Sequence, residues 1–577
     1  MAARLLNDRA ILAAGGAILA AWAVFAASGY EQRVLTLAGI YAILVLGYQL
    51  VFGHAGALSL AQGAFFGIGG YATGILASRY GWPFPATFAL SFAAPAALAA
   101  LVALPVLRLE SHYFALATLA IAQTVLLAAI NWVDVTGGAN GLYGVPGIAA
   151  FGQAVPAGLP LLVFVWACVA LAGWIAWLAT RGRRRDRFTT LRDAPLAAAA
   201  SGLDTGRLRT GAFILGAAFA GAAGALHVHT LRVVSPEILA FDTMVLCLTM
   251  TVIGGRTRIA GAIIGALLLT HLPEWFRALD RYYLIATGAI LLAAILFAPN
   301  GIAALLPRRA APGTPPDGPP DGPPDGSTDG PVQSQAAPAP RAELRIAGLQ
   351  KSYGGVRAVD GVDLAIGSGD IVGLIGANGS GKTTLANLVT GFAAPDGGTI
   401  TWNGAAIAGQ PAYRIARAGI GRSFQHPDLP PSMAVRDAIA VALPAAHPQA
   451  ALAGLLAEFD LAGIAATPCG SLPHGARRRT DIARALAANP GLLVLDEPAA
   501  GLTDDEAQAL AAILRRRAGA GLALLVIEHH TGFLAALADR LVCLSSGAVI
   551  AEGAPDSVFA DPAVRDAWLG APMAADR

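Results

Sequence analysis

Charge is scarce in this chain: Asp, Glu, Lys and Arg supply 13% of its 577 residues, and 55% are hydrophobic. Ordinary soluble domains carry about 25% charged residues. So long a chain with so little charge is not one water-soluble core, and its composition divides sharply along its length. An excess of either sign is also missing. The formal net charge is +2, and no basic face or aromatic-interleaved stripe occurs, which argues against nucleic acid as a partner. Cysteine is rare too. Cys168, Cys247, Cys469 and Cys543 are scattered without a C-x-x-C spacing, so neither a disulfide framework nor a cysteine metal site is supported. They read as small buried hydrophobes.

The apolar residues concentrate in residues 1–309, where hydropathy predicts about ten spans of about 17–25 residues each. They fall near 10–29, 33–52, 55–77, 84–107, 113–133, 158–180, 210–231, 238–254, 258–276 and 281–298. Arg4 and Arg9 precede the first. A signal peptide cleaved near Ala26-Ala27-Ser28-Gly29 is the competing reading, but the apolar stretch is long and further spans come at once, so an uncleaved helix is expected. The glycines of 55–77 would also suit a broken or re-entrant segment. The 181–209 loop holds Arg181, Arg183, Arg184, Arg185, Arg187, Arg192, Arg207 and Arg209, which places it in the cytoplasm. With an even count, the N-terminus and Arg308-Arg309 fall on the same side. Gly63, Gly67, Gly69 and Gly70, like Gly216, Gly221 and Gly224, should allow close helix–helix approach. Asp242, His227 and His229 lie in or near apolar spans. They read either as a polar path or gate, or as satisfied contacts at helix interfaces and headgroups.

Residues 310–341 repeat Pro-Pro-Asp-Gly three times from Pro315 to Gly326, then run on in Ser, Gln and Ala-Pro. Such a segment buries nothing and should be an extended, disordered linker. As a tether it would raise the local concentration of the C-terminal portion beside the N-terminal one.

That C-terminal portion, residues 342–577, is a mixed α/β pattern containing Gly376-Ala377-Asn378-Gly379-Ser380-Gly381-Lys382-Thr383-Thr384. Gly376, Gly381, Lys382 and Thr383 meet the spacing G-x-x-x-x-G-K-[ST] of a phosphate-binding loop. An apolar strand, Ile371–Ile375, leads in and a helix leads out. The glycines let backbone N–H groups turn inward on a phosphate at the positive end of the helix. Asn378, Gly379, Ser380 and Thr384 belong to the same cradle; Lys382 would reach the β/γ-phosphates of ATP, and Thr383 would hold Mg²⁺. Leu492-Leu493-Val494-Leu495 ends in Asp496, suited to the metal shell, and Glu497, suited to polarise an attacking water. Leu524-Leu525-Val526-Ile527-Glu528 ends in His529, suited to contact the γ-phosphate.

In this order the motifs resemble ABC-type ATPases, and that resemblance implies further roles. Tyr353 would stack on adenine. Gln425, in Arg422-Ser423-Phe424-Gln425, would be the glutamine that senses Mg²⁺ and faces the membrane domain. Leu472, Pro473, His474 and Gly475 stand where the family usually has Leu-Ser-Gly-Gly, the signature that closes over the nucleotide of a partner ATPase. Pro473 replaces the serine. If the partner is a different chain, the site completed by this signature should be the weaker one, and the site using Lys382 and Glu497 should carry most of the hydrolysis.

Residues 46–78 and 112–142, together with Pro299-Asn300-Gly301, resemble permeases of the branched-chain amino acid ABC importers. Ile371 to Gly379 and Asp496 to Leu502 resemble the ATPase of the same system. The fold class expected is therefore an α-helical polytopic membrane domain (1–309) and a linker (310–341), followed by an α/β P-loop ABC-type ATPase domain (342–577). The resemblance implies import of branched-chain amino acids, or alternatively of urea, amides or another small solute, across a bacterial inner membrane. It also implies a periplasmic binding protein, and a second permease and ATPase supplied by other subunits or a second copy. Phe188 to Gly202 would be the coupling helix docking on the ATPase, kinked at Pro195. An exporter would need long spans with large cytoplasmic extensions, and an inactive regulator would lack catalytic groups; neither matches this chain.

Overall fold

The computed structural model describes residues 28–275 and 343–569, apart from 108, 110, 151–152 and 445–447, and scattered positions between 282 and 304. Nearly all of the predicted first span, half of the tenth, Pro299-Asn300 and the 310–341 linker lie outside the described residues. Contacts divide the chain into two units, one of Met1–Arg184 with Gly206–Thr328, the other of Arg185–Thr205 with Asp329–Arg577.

The first unit is helical. Its first described helix, Gly29–Tyr48, begins at a capping box between Ser28 and Glu31 and runs on through a π-helical turn, Gln49–His54. Among the described residues, five helices are long and apolar enough to cross a membrane: Gly29–His54, Phe84–Val106, His112–Asn131, Leu159–Thr180 and Thr205–Leu231. Phe241–Gly254 and Ile259–Trp275 are shorter apolar helices. The first and last of the five are central, buried over 89% and 78% of their apolar windows, whereas Phe84–Val106 is buried over 28% and turns most of its surface outward.

The 55–77 stretch differs from a simple span. Its helix is Gln62–Tyr80, and residues 55–61 are irregular, with Gly56 at φ +71. The Leu60 N–H donates to Thr118 Oγ1 at 2.9 Å, the kind of partner that irregular backbone needs away from water. The small residues act as close-approach points. A Cβ on Gly69 would collide with Gly221, and one on Gly224 with the Phe66 carbonyl. His229 takes the role of a satisfied interface contact: its Nε2 lies 2.9 Å from Thr73 Oγ1 and its Nδ1 2.7 Å from the Pro146 carbonyl. His227 is buried against Phe66 and Tyr41. Asp242 is exposed in the first turn of Phe241–Gly254, where a helix N-terminus favours a carboxylate.

The second unit is built on a six-stranded sheet in the order Ile420–Arg422, Leu492–Asp496, Ala523–Ile527, Ile371–Ile375, Arg540–Ser545, Ala548–Gly553. The first five strands are parallel and the last is antiparallel. Their residues alternate between two cores. Ile371, Leu493, Leu495, Leu524 and Val526 pack into one, and Val372, Leu374, Leu492, Val494 and Leu525 into the other. With both faces covered, these strands read as unbroken apolar runs rather than alternating ones. A second, antiparallel sheet joins Val356–Gly367, Glu343–Tyr353 and Gly397–Trp402.

Arg185–Thr205 packs within this unit. The single kinked helix expected over 188–202 is two helices, Arg183–Asp193 and Pro195–Ala200. The break is at Ala194 (φ −148, ψ 70), and Pro195 takes the first helical position, where its missing N–H is harmless. Asp428 accepts from the Ala197 N–H (3.0 Å), Arg417 Nε donates to the Gly202 carbonyl (2.8 Å), and Arg484 Nη1 donates to Ser201 Oγ (3.0 Å). Burial raises the Asp428 pKa, and the Ala197 and Leu196 N–H groups oppose that.

Candidate nucleotide site

The parallel strands bring the predicted groups together by ending at one edge. Ile371–Ile375 runs into the phosphate loop, Leu492–Asp496 ends at Asp496 with Glu497 next, Ala523–Ile527 is followed by Glu528 and His529, and Ile420–Arg422 leads to Gln425. Ligands of open α/β sheets bind at this carboxyl edge.

The loop needs its glycines. Gly376, Gly379 and Gly381 have φ of +145, +83 and +105, and a Cβ on Gly381 would collide with the Ala358 carbonyl. Gly381 also caps the helix Lys382–Val389. The Lys382 ammonium folds over the loop and donates to the Gly376 and Ala377 carbonyls at 2.7 and 2.8 Å. Burial lowers its pKa, and the charges of Glu497 and Asp496 oppose the shift. Ser380 Oγ is buried without a partner. Asn378, Gly379 and Thr383 are exposed, and Thr384 is half-buried.

Asp496 is buried, with the Arg422 guanidinium 3.8 Å away. Arg422 lies between the Phe392 and Phe424 rings, 5.3 and 5.1 Å from their centroids, and donates to Thr390 Oγ1 at 2.6 Å. Burial raises the Asp496 pKa and lowers that of Arg422 to about 10, each opposed by the other's charge. Glu497 takes a left-handed backbone, φ +50, rare for a residue with a side chain and often found at working sites. His529 is largely exposed, its Nδ1 3.7 Å from Glu497 Oε1.

Gln425 is held by its backbone: its carbonyl accepts from Arg478 Nη2 at 2.6 Å, and Arg478 Nη1 binds the Phe424 carbonyl at 2.7 Å. Arg478 belongs to the helix His474–Ala487, which starts at the signature. Pro473 occupies the N-cap without a side-chain acceptor, and Leu472 is buried. His474 lines a cleft of about 290 Å³ with Gln425, His426, Arg478, Glu497 and Gly501. Around Gly475 there is little room, since an added Cβ would meet the Glu506 carboxylate at 3.1 Å. Tyr353 stands apart, exposed at the end of its strand beneath the Lys351 ammonium. It lies five residues before Ala358, whose carbonyl abuts Gly381.

Four charged residues of this site carry no phosphate-binding motif of their own. Arg478, Asp481 and Arg484 are fully buried at a spacing of three on one helix. Asp481 accepts from the Phe424 N–H at 3.1 Å and from Arg484 at 2.7 Å, and Arg484 also donates to the Arg422 carbonyl at 2.9 Å. The fourth is Glu528, 2% exposed. The detectable signal was charge repeated every third residue along a helix whose other buried positions are Ala, Ile, Leu and one Thr.

Residues 32–298 match the family described as the permease component of a branched-chain amino acid transport system. Residues 359–500 match ABC transporter, and residues 548–574 match branched-chain amino acid ATP-binding cassette transporter. The chain is 36% identical over 251 residues to the high-affinity branched-chain amino acid transport ATP-binding protein BraF of Pseudomonas aeruginosa, covering 40% of this chain and 98% of that one. It is 38% identical over 228 residues to a probable ABC transporter ATP-binding protein of Azorhizobium caulinodans (39% and 81% covered), and 35% identical over 248 residues to LivG of Escherichia coli (39% and 97% covered). The chain belongs to the branched-chain amino acid ABC transporter family and joins in one polypeptide a permease component and an ATPase that couples ATP hydrolysis to transport.

Proposed function

We propose that this chain is the fused permease–ATPase component of an importer that moves branched-chain amino acids, or related small polar solutes, into the cytoplasm. The observation that carries the reading is the agreement of the two halves: permease and ATPase each match the same transport system, within one chain. In this reading about ten spans cross the inner membrane, the arginine-rich 181–209 loop and the ATPase face the cytoplasm, and 310–341 tethers residues 342–577 to residues 1–309. A second permease and a second ATPase, from other subunits or a second copy, complete the assembly, and a periplasmic binding protein delivers the solute.

ATP binds in the cradle of Gly376 to Thr384, with adenine on Tyr353. Glu497 orients and activates the attacking water, Lys382 neutralises and His529 contacts the γ-phosphate, and hydrolysis opens an interface formed with the partner's signature. Thr383, Gln425 and Asp496 would hold Mg²⁺, which would supply charge neutralisation at the phosphates. A hydroxyl, an amide oxygen and one carboxylate suit an ion that keeps waters and phosphate oxygens in its shell. Among the described residues no cluster of three His, Cys, Asp or Glu could hold a metal without nucleotide. Leu472 to Gly475 reach the partner's nucleotide, weakly because Pro473 offers no hydroxyl.

ATP-dependent leucine uptake into vesicles, with neighbouring subunits co-expressed, tests the reading. Uptake should vanish in Glu497→Gln and, where the partner ATPase is a different chain, survive in Gly475→Asp. ATP hydrolysis without leucine uptake would refute the amino acid assignment and move the substrate to urea, an amide or another small solute. Equal losses in the two variants would count against unequal sites.

A further inference from the structure

Glu528 closes the strand Ala523–Ile527, and its carboxylate is almost fully buried, although neither the phosphate loop nor the metal donors use it. Both of its oxygens accept hydrogen bonds. Oε1 takes the Ala499 N–H at 2.8 Å; Oε2 takes the His529 N–H at 2.8 Å and the His530 N–H at 3.2 Å. Ala499 lies two residues beyond Glu497, in the turn that Glu497 enters through its left-handed backbone. The Glu497 N–H is itself held by the Ile527 carbonyl at 2.8 Å, one residue before Glu528. One carboxylate therefore fastens the loop after Glu497 to the loop that begins at His529. The two side chains so fixed stand 3.7 Å apart.

We propose that Glu528 is a positioning residue for ATP hydrolysis, setting the separation and orientation of Glu497 and His529 without touching nucleotide. The chemistry calls for a carboxylate. Glutamine has one acceptor oxygen and one donor nitrogen, so it can serve one loop but turns N–H against N–H at the other. Alanine leaves three N–H groups with no acceptor in a dry site, where each costs more than the bond itself contributes. His530 does not replace it, because the His530 Nδ1 accepts from the Phe533 N–H at 3.0 Å and caps the helix Thr531–Leu537. Lys382 donates to loop carbonyls rather than to Glu528, so loosening the two loops should leave ATP binding in place while spoiling the alignment that hydrolysis needs.

The test measures steady-state ATP hydrolysis and fluorescent ATP-analogue binding for the full-length chain, co-reconstituted in proteoliposomes with its neighbouring subunits. Glu528→Gln should lower kcat by about 10- to 100-fold, the factor expected for a lost hydrogen bond to a charged group at a reacting centre. KM and analogue affinity should stay within about twofold of wild type. Glu528→Ala should lower kcat further, again with affinity retained. An unchanged kcat in Glu528→Gln would overturn the proposal. So would a loss of analogue affinity in step with kcat, which would mean that Glu528 supports the fold of the whole site. The proposal rests on hydrolysis at Glu497, and Glu497→Gln in the same preparation tests that separately: hydrolysis abolished there but normal in Glu528→Gln sinks only the positioning role.

Discussion

Arg484 is heavily committed by hydrogen bonds in the second unit, and replacing it gives a sharp test of how that unit is held together. It is 1% exposed. Its guanidinium donates to Asp481 through Nε at 3.0 Å and Nη2 at 2.7 Å, to the Arg422 carbonyl at 2.9 Å and to Ser201 Oγ at 3.0 Å. Arg484→Met keeps the apolar stem and deletes every donor. Asp481, with its side chain 0% exposed, would then keep the Phe424 N–H as its hydrogen-bond donor and only the more distant charges of Arg478 and Arg422. Breaking a buried pair from one side costs about 3–5 kcal/mol, because a poorly compensated charge stays in a dry site, and the remaining attraction of Arg478 and Arg422 puts this case towards the lower end. For a unit of this size that corresponds to a fall of about 10 °C in Tm. Neutralising the abandoned partner separates this cause from lost packing. In Arg484→Met/Asp481→Asn the charge is gone and the asparagine carbonyl can still accept from Phe424, so more than about half of the lost stability should return. Fluorescence-detected thermal unfolding of the full-length chain in detergent reads both values, with the second unit's transition identified by its shift on adding ATP. A drop smaller than about 2 °C in the single variant, or a double variant as unstable as the single, would refute the reasoning.

Two other outcomes rest on single residues. Gly381→Ala forces a side chain into φ +105 and into the Ala358 carbonyl, so ATP-analogue affinity should fall by about tenfold or more in a chain that still folds; retained affinity would show that the loop is not the cradle described. Glu458 gives the pH dependence. Burial raises its pKa, but Arg517 and Arg516 more than offset that, and the net shift is downward from 4.5. Its folded pKa thus lies below its unfolded one, so its contribution is complete above about pH 4.5 and is lost as pH falls through the folded value. Glu458→Gln should flatten the acid limb of thermal stability below about pH 5, and an unchanged limb would contradict the assignment.

How much of this was legible beforehand depends on what kind of pattern carried it. Gly376 to Thr384, Asp496-Glu497 and His529 were readable because each sits at the end of an unbroken apolar strand, and parallel strands covered on both faces leave just that trace. That they converge on one edge follows from strand order, which no local pattern encodes. The helices of residues 33–275 were readable as apolar stretches, yet the break at residues 55–61 was visible only as an excess of glycine. At Pro195 the sequence suggested a kink and the chain instead stops one helix and starts another, because the residue before a proline is pushed out of the helical region. The partners of Arg422, Arg478, Asp481, Arg484 and Glu528 were not readable at all. A buried charge looks like a surface charge until the fold supplies what faces it.

Those partners share a logic that the motifs alone do not express. Arg478 holds the carbonyls of Phe424 and Gln425, Asp481 holds the Phe424 N–H, Arg484 holds the Arg422 carbonyl, and the Arg422 side chain lies beside Asp496. Three side chains of one helix, the helix that begins at the signature, thus fix the backbone on which the Gln425 amide and the Asp496 carboxylate depend. The same Arg484 binds Ser201 in the segment Arg185–Thr205. Each of these charges is buried, so each is costly to displace singly and tolerable only with all its partners in place. Such a network resists gradual deformation. A shift of the helix His474–Ala487 must either carry the Gln425 loop with it or break several buried bonds at once, and the same holds for the segment Arg185–Thr205 that Arg484 grips.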